Sequence, residues 1–162
     1  MDKFSVAIVG LGYWGPNILR NMMEMEGLDD IYCCDIDRSR LKKMKSRFQT
    51  IKLEEDYGNV LENEDIKCIF IATPPITHFK LANEAIKRNK HVYIEKPMTT
   101  DSGEAETLIG MAEEKSIRLM VGHTFEFSPA VEKLEELVKG GILGDIYFIS
   151  MSRINLGIHK KD

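Results

Sequence analysis

The sequence predicts an α/β protein: a doubly wound parallel sheet in strand order 3-2-1-4-5-6, followed by the start of a second, α+β domain. Three observations predict it. Short apolar runs alternate with helical periodicity from Ser5 to Gly122, the pattern of successive βαβ units. The run Lys67-Cys68-Ile69-Phe70-Ile71-Ala72 is almost continuously apolar, as strands buried on both faces of a parallel sheet are. Between the first strand and the first helix stands Gly10-Leu11-Gly12-Tyr13-Trp14-Gly15, a G-x-G-x-x-G spacing in the strand–turn–helix context that gives the string meaning. Right-handed crossovers then cover both faces and leave a crevice at the C-terminal ends of the strands.

Taken in order, the first strand is Ser5–Val9 and the first helix covers about Trp14–Met25, with Ile18, Leu19, Met22 and Met23 on its inner side. Pro16 suits the first helical turn, where its missing N–H costs little. A second strand is expected at Asp30–Asp35, then a helix at Ser39–Phe48 with Leu41, Met44 and Phe48 at helical spacing. A short strand at Gln49–Leu53 and a short helix near Tyr57–Leu61 come next. The fourth strand, Lys67–Ala72, ends in Thr73-Pro74-Pro75, which cannot continue a central strand. Thr77 is placed to cap a helix running to Arg88. The fifth strand, His91–Ile94, ends in Glu95-Lys96-Pro97. A helix at Ser102–Lys115 and a strand at Arg118–Gly122 complete the first domain, 1–123. Residues 124–162 carry a helix at Ala130–Lys139, glycine turns, and a long strand at Ile146–Ile154. That strand has edges and an apolar face to cover. It is expected to pair with its own domain's sheet or with a second subunit, which makes a homo-oligomer the expected assembly.

Composition narrows the function classes. At 162 residues, 43% apolar and 30% charged, the chain has the make-up of a soluble globular protein. A net charge of −4 gives no reason to expect nucleic acid or an anionic membrane as partner. No apolar run is long enough to span a bilayer, and Met1-Asp2-Lys3 leads straight into a strand without a secretory pattern; a cytoplasmic location is the default. Cys33, Cys34 and Cys68 do not form a disulfide framework or a metal-ligand spacing. Cys33 and Cys34 are adjacent on a strand and point to opposite faces.

The glycine turn has a specific chemistry. Gly10 permits the tight turn, Gly12 lets backbone approach a pyrophosphate, and Gly15 lets helix and strand pack closely. The helix N-terminus offers free N–H groups to phosphate. Asp35, 20 residues past Gly15, stands where such folds place the carboxylate that accepts from the adenosine ribose hydroxyls. The other reading of Asp35 is a cap for the second helix, for which Asp37 is better placed. A carboxylate here repels a 2′-phosphate, which favours NAD over NADP; Arg38 works against that preference, since a nearby arginine accepts the phosphate or stacks on adenine. Every polar motif falls at the C-terminal end of a predicted strand: the turn, Asp35, Thr73-Pro74-Pro75, Glu95-Lys96-Pro97 and Gly122-His123.

Four of these segments resemble one family. They are Ile8-Val9-Gly10-Leu11-Gly12-Tyr13-Trp14-Gly15-Pro16-Asn17, Ala72-Thr73-Pro74-Pro75-Ile76-Thr77-His78, Glu95-Lys96-Pro97 and Val121-Gly122-His123-Thr124-Phe125. Together they resemble the Gfo/Idh/MocA oxidoreductases, nicotinamide-dependent enzymes acting mostly on sugars, cyclitols and nucleotide sugars. The Tyr13-Trp14-Gly15-Pro16-Asn17 form of the turn looks like the branch acting on nucleotide-linked amino sugars. The resemblance implies a Rossmann cofactor domain. It implies cofactor contacts from Gly10, Gly12, Tyr13, Trp14, Gly15, Asp35, Arg38, Thr73, Pro74, Pro75, His78, Glu95, Lys96 and His123. Glu95 would bond the nicotinamide ribose, and Lys96 would be the catalytic residue, its ammonium stabilising a developing alkoxide. Residue by residue, other readings stand beside these: a surface histidine for His78, a sheet-end carboxylate for Glu95, a solvated lysine for Lys96, a sheet-end histidine for His123. Family members are about twice this length and carry a catalytic histidine in their second domain; His159 precedes the expected place and is not assigned that role. The expectation is a cofactor-binding half, as a fragment or a truncated relative, or else a cofactor-binding module without turnover.

Overall fold

The computed structural model describes residues 3–152 and 154. The chain divides into two compact units, 1–123 and 124–162.

The first unit is a six-stranded, wholly parallel sheet in the predicted order, 3-2-1-4-5-6. The strands are β1 (Phe4–Val9), β2 (Leu28–Cys34), β3 (Lys52–Glu54), β4 (Ile66–Ile71), β5 (His91–Ile94) and β6 (Leu119–Val121). The connecting helices are α1 (Gly15–Met22), α2 (Arg38–Arg47), α3 (Tyr57–Glu62), α4 (His78–Lys87) and α5 (Ser102–Glu114). β1 shows why the sheet needs two helical layers. Val6 and Ile8 enter one core with Leu19, Met22, Leu41, Met44 and Ile51, under α1 and α2. Ala7 and Val9 enter the other, with Val60, Ala82, Ala85, Ile86 and Leu108 from α3, α4 and α5. Alternation along a strand sends successive side chains to opposite faces, and here both faces are apolar, so both must be covered.

Some helices end earlier than the periodicity predicts. α1 stops at Met22 rather than Met25, because the chain turns through Gly27, which takes a left-handed φ of 89°. α2 starts where its cap dictates: Asp37 accepts from Ser39 N–H at 2.8 Å. Thr77 does not cap α4. Its hydroxyl donates to Pro74 O at 2.7 Å inside a 3-10 turn (Pro75–Thr77), and α4 begins with no side-chain cap.

Cys33 and Cys34 do fall into opposite cores. Burial pushes their thiols from 9.0 up to about 12, helped at Cys33 by Cys34 and at Cys34 by Glu54 and Asp35; burial also pushes Cys68 up to about 11. These thiols stay protonated, and protonated thiols are poor nucleophiles. Iodoacetamide at about pH 8 should therefore leave all three unmodified in the folded chain and alkylate all three in urea. Raised folded values also set a sign. Resistance to urea should be full below the unfolded value of 9.0 and fall as pH rises toward 12, because the unfolded chain loses its thiol protons first.

The second unit holds a 3-10 turn (Thr124–Phe127) and α6 (Pro129–Lys139). Ion pairs Lys133–Glu136 and Lys139–Glu135 lie along α6. The predicted strand at Ile146–Ile154 is not formed: residues 146–152 and 154 have no regular structure, and Tyr147, Phe148 and Met151 are exposed. An apolar run supplies side chains to bury but not the backbone partners that define a strand. Arg153 and His159 lie outside the described residues.

Candidate functional site

The crevice is assembled by the last hydrogen bonds of the parallel ladder. Asp35 N–H donates to Glu54 O (3.3 Å), Gly10 N–H to Cys34 O (2.9 Å), Ala72 N–H to Val9 O (2.8 Å), Glu95 N–H to Ile71 O (2.9 Å) and Gly122 N–H to Ile94 O (2.9 Å). All six strands thus end at one level. The glycine turn, Asp35, Thr73, Glu95 and Gly122-His123 leave the sheet along one rim, which is why residues distant in sequence reach a common edge.

The three turn glycines are needed for three different reasons. Gly10 has φ 94°, and a Cβ there would lie 2.8 Å from the carbonyl of Ala72. At Gly15 a Cβ would run into the carbonyl oxygen of Gly10, so α1 packs directly on the turn. At Gly12 the only neighbour of an added Cβ within 4 Å among the described residues is Arg40 Nη1, at 3.9 Å. No packing inside the protein demands a glycine there; its missing side chain instead clears an outward approach to the backbone. The N–H groups of Gly12, Tyr13 and Trp14 have no acceptor among the described residues. An open cradle with unused donors ahead of a helix fits a pyrophosphate. Tyr13 is exposed and its ring stacks with Trp14, centroids 6.4 Å apart.

Asp35 is 5% exposed and ties two loops together. Its Oδ2 accepts from Leu11 N–H at 2.7 Å and its Oδ1 from Asp37 N–H at 2.8 Å. It is therefore not the cap of α2. Of the two arginines nearby, Arg38 turns away to Glu55 at 2.6 Å. Arg40, which the sequence reading passed over, approaches Asp35 Oδ2 at 3.5 Å and Asp37 Oδ2 at 3.4 Å. Helical geometry carried the signal, since Arg40 lies three residues past Asp37 on the same face. Asp37 itself is half-buried, and hydrogen bonds from Ser39, then Arg40, hold its carboxyl below the usual range.

His78 is neither a surface histidine nor a crevice-lining one: it is 1% exposed. Nδ1 is 2.8 Å from Pro97 O and Nε2 is 2.8 Å from Thr73 O. The ring thus bridges the loops that follow β4 and β5. Thr77 spends its one hydroxyl proton on Pro74 O, so the 2.7 Å contact between the Thr73 and Thr77 hydroxyls has Thr73 as donor. Pro74 and Pro75 are exposed above this knot.

Past β5, Glu95 is 9% exposed and accepts from the Tyr93 hydroxyl at 3.0 Å. Lys96 and His123 are exposed, and neither side chain has a hydrogen-bond or ion-pair partner among the described residues; the His123 N–H donates to Val121 O at 2.8 Å. The Lys96–Pro97 peptide is cis. Among the described residues no cluster of His, Cys, Asp or Glu could hold a metal ion, and no helix is long and apolar enough to cross a membrane.

Comparison with known proteins agrees with this geometry. Residues 4–123 match the family described as "Oxidoreductase family, NAD-binding Rossmann fold". The chain is 30% identical over 125 residues to a dTDP-3,4-didehydro-2,6-dideoxy-alpha-D-glucose 3-reductase of Actinomadura kijaniata, covering 76% of this chain and 37% of the relative. It is 28% identical over 155 residues to the scyllo-inositol 2-dehydrogenase (NADP(+)) IolW of Bacillus subtilis, covering 94% and 43%. Among solved structures, scyllo-inositol dehydrogenase of Lactobacillus casei with bound NAD(H) and scyllo-inositol shares the fold at TM-score 0.80 and 23% identity, over 89% of this chain and 43% of that one. The chain spans about 40% of the length of these relatives. Through its NAD-binding Rossmann domain, the chain belongs to the Gfo/Idh/MocA family of oxidoreductases.

Proposed function

We propose that this chain binds NAD and forms the cofactor half of an oxidoreductase acting at a hydroxyl-bearing carbon of a sugar, cyclitol or nucleotide sugar. The observation that carries the reading is the common rim, which gathers phosphate donors, a ribose acceptor and an unpaired lysine along one crevice. The N–H groups of Gly12, Tyr13 and Trp14 hold the pyrophosphate. Asp35 and Asp37 face the adenosine ribose. Thr73, Pro74 and Pro75 line the passage toward the nicotinamide, Glu95 accepts from its ribose, and His123 stands at that end. The nicotinamide, when bound, supplies the hydride chemistry. Lys96 contributes a donor to the substrate oxygen and stabilises negative charge as its proton leaves.

Three features favour NAD over NADP. Asp35 and Asp37 put negative charge where a 2′-phosphate would sit. Ile36 between them is 94% exposed and offers no cation. Arg40 is already engaged by both carboxylates, and Arg38 by Glu55. The relatives divide on this point: one structure is described with NAD(H) and another, a 3-ketoreductase of A. kijaniata, with NADP.

Calorimetric titration tests the reading. NAD should bind at least about tenfold more tightly than NADP, the scale of one charge contact. Asp35→Ala should weaken NAD and narrow that ratio, whereas Lys96→Ala should leave NAD affinity within a few-fold. No binding of either dinucleotide would refute the reading, and equal binding of both would refute the preference. Turnover on a panel of sugars, cyclitols and nucleotide sugars then separates an oxidoreductase from a module that binds cofactor without reaction.

A further inference from the structure

Tyr93 lies on β5 two residues before Glu95, so the two side chains leave the backbone on the same face. The phenol donates to Glu95 Oε1 at 3.0 Å. Burial first, then the hydrogen bond and charge of Glu95, push the Tyr93 hydroxyl up to about 12, which keeps it a donor at neutral pH. On its other side the Tyr93 ring meets Phe70, centroids 5.2 Å apart. The neighbouring strand end leaves room for the pair. Gly122, anchored by its N–H to Ile94 O, faces them, and a Cβ there would strike the Tyr93 hydroxyl and come within 3.0 Å of Glu95 Oε1. Glu95 Oε2 has no hydrogen-bond partner among the described residues.

We infer that Tyr93 is a positioning residue: it fixes one oxygen of Glu95 so that the other is presented to the nicotinamide-side ribose, and Gly122 keeps the space for that pair. The inference rests on the reading of Glu95 given above. A carboxylate with several free rotamers loses entropy when it meets a ligand, and one already held by a donor loses less. Phe70 packs on the ring and not on the hydroxyl, so Tyr93→Phe removes the hydrogen bond while keeping the shape. Position 93 carries no motif; only its two-residue spacing from Glu95 on a strand could have singled it out.

The test is a double-mutant cycle on the full chain, titrated with NAD and with ADP, which lacks the nicotinamide ribose. Tyr93→Phe should bind NAD roughly tenfold more weakly, the scale of one hydrogen bond, with ADP affinity and thermal midpoint unchanged. In a Glu95→Ala background, Tyr93→Phe should cost nothing further. An unchanged NAD affinity in Tyr93→Phe, a loss that persists without Glu95, or an equal loss for ADP each overturns the inference. A Glu95→Ala chain that binds NAD as well as the wild type overturns instead the ribose reading of Glu95 on which it rests.

Discussion

Gly15→Ala should destabilise the fold by about 3 kcal/mol, the upper range for forcing a methyl into a packed site, and should abolish measurable NAD binding. The new Cβ would come far inside contact distance of the Gly10 carbonyl oxygen, so either α1 or the turn must move. Gly10 is itself pinned by its N–H to Cys34 O and by the closeness of Ala72, which leaves the helix to shift. A displaced α1 takes the donors of the phosphate cradle with it. Gly12→Ala is the contrast. Its Cβ meets only Arg40, at 3.9 Å, so the urea midpoint should change little. The methyl points into the outward approach, however, and NAD affinity should fall by about tenfold or more. Denaturation and calorimetry on the two variants separate the packing glycine from the ligand glycine. A Gly12→Ala chain that binds NAD normally would refute the cradle.

His78→Ala should be nearly as costly to stability. The side chain is buried, and its removal leaves a void beside the carbonyls of Thr73 and Pro97 and takes away the ring N–H that the tautomer directs at one of them. A buried unpaired polar group costs about 1–3 kcal/mol, and the void adds to it; a loss of about 4 kcal/mol in urea unfolding is expected. NAD affinity should fall as well, because the ring joins the Thr73 loop to the loop carrying Lys96. His78→Gln, which retains donors, should recover part of both. A His78→Ala chain as stable as the wild type would show that the two carbonyls find other partners and that the bridge does not hold the rim.

The comparison of His78 with Asp35 shows what kind of information sequence carries. Asp35 was legible as a site residue from its place at a strand end, and His78 through the resemblance of the segment that carries it. Their work was not legible. Asp35 reads as a ribose acceptor, yet its carboxylate also accepts from Leu11, Asp37 and Arg40 within the protein. His78 reads as a surface or lining residue, yet it is buried and spans two loops. Helical spacing sets Arg40 on the face of Asp37 and Arg38 off it, but only the structure shows that Arg38 meets Glu55 and Arg40 meets Asp35. The run Ile146–Ile154 has the apolar, β-prone composition of a strand and forms none among its described residues, since pairing depends on a neighbouring edge.

The sequence by itself determined the layer architecture, the strand order and the level at which the site residues leave the sheet. Apolar period, glycine spacing and the handedness of βαβ crossovers are local or near-local properties, and they suffice for that. Only the tertiary structure decided which side chains meet: Tyr93 with Glu95, Arg40 with Asp35, His78 with Pro97 and Thr73, Gly122 against the first pair. Those contacts join residues brought together by neighbouring strand ends and by rotation about a helix axis. Hydrogen bonds and close packing discriminate over tenths of an ångström, whereas residue spacing in sequence fixes a side chain's face and not the partner it reaches.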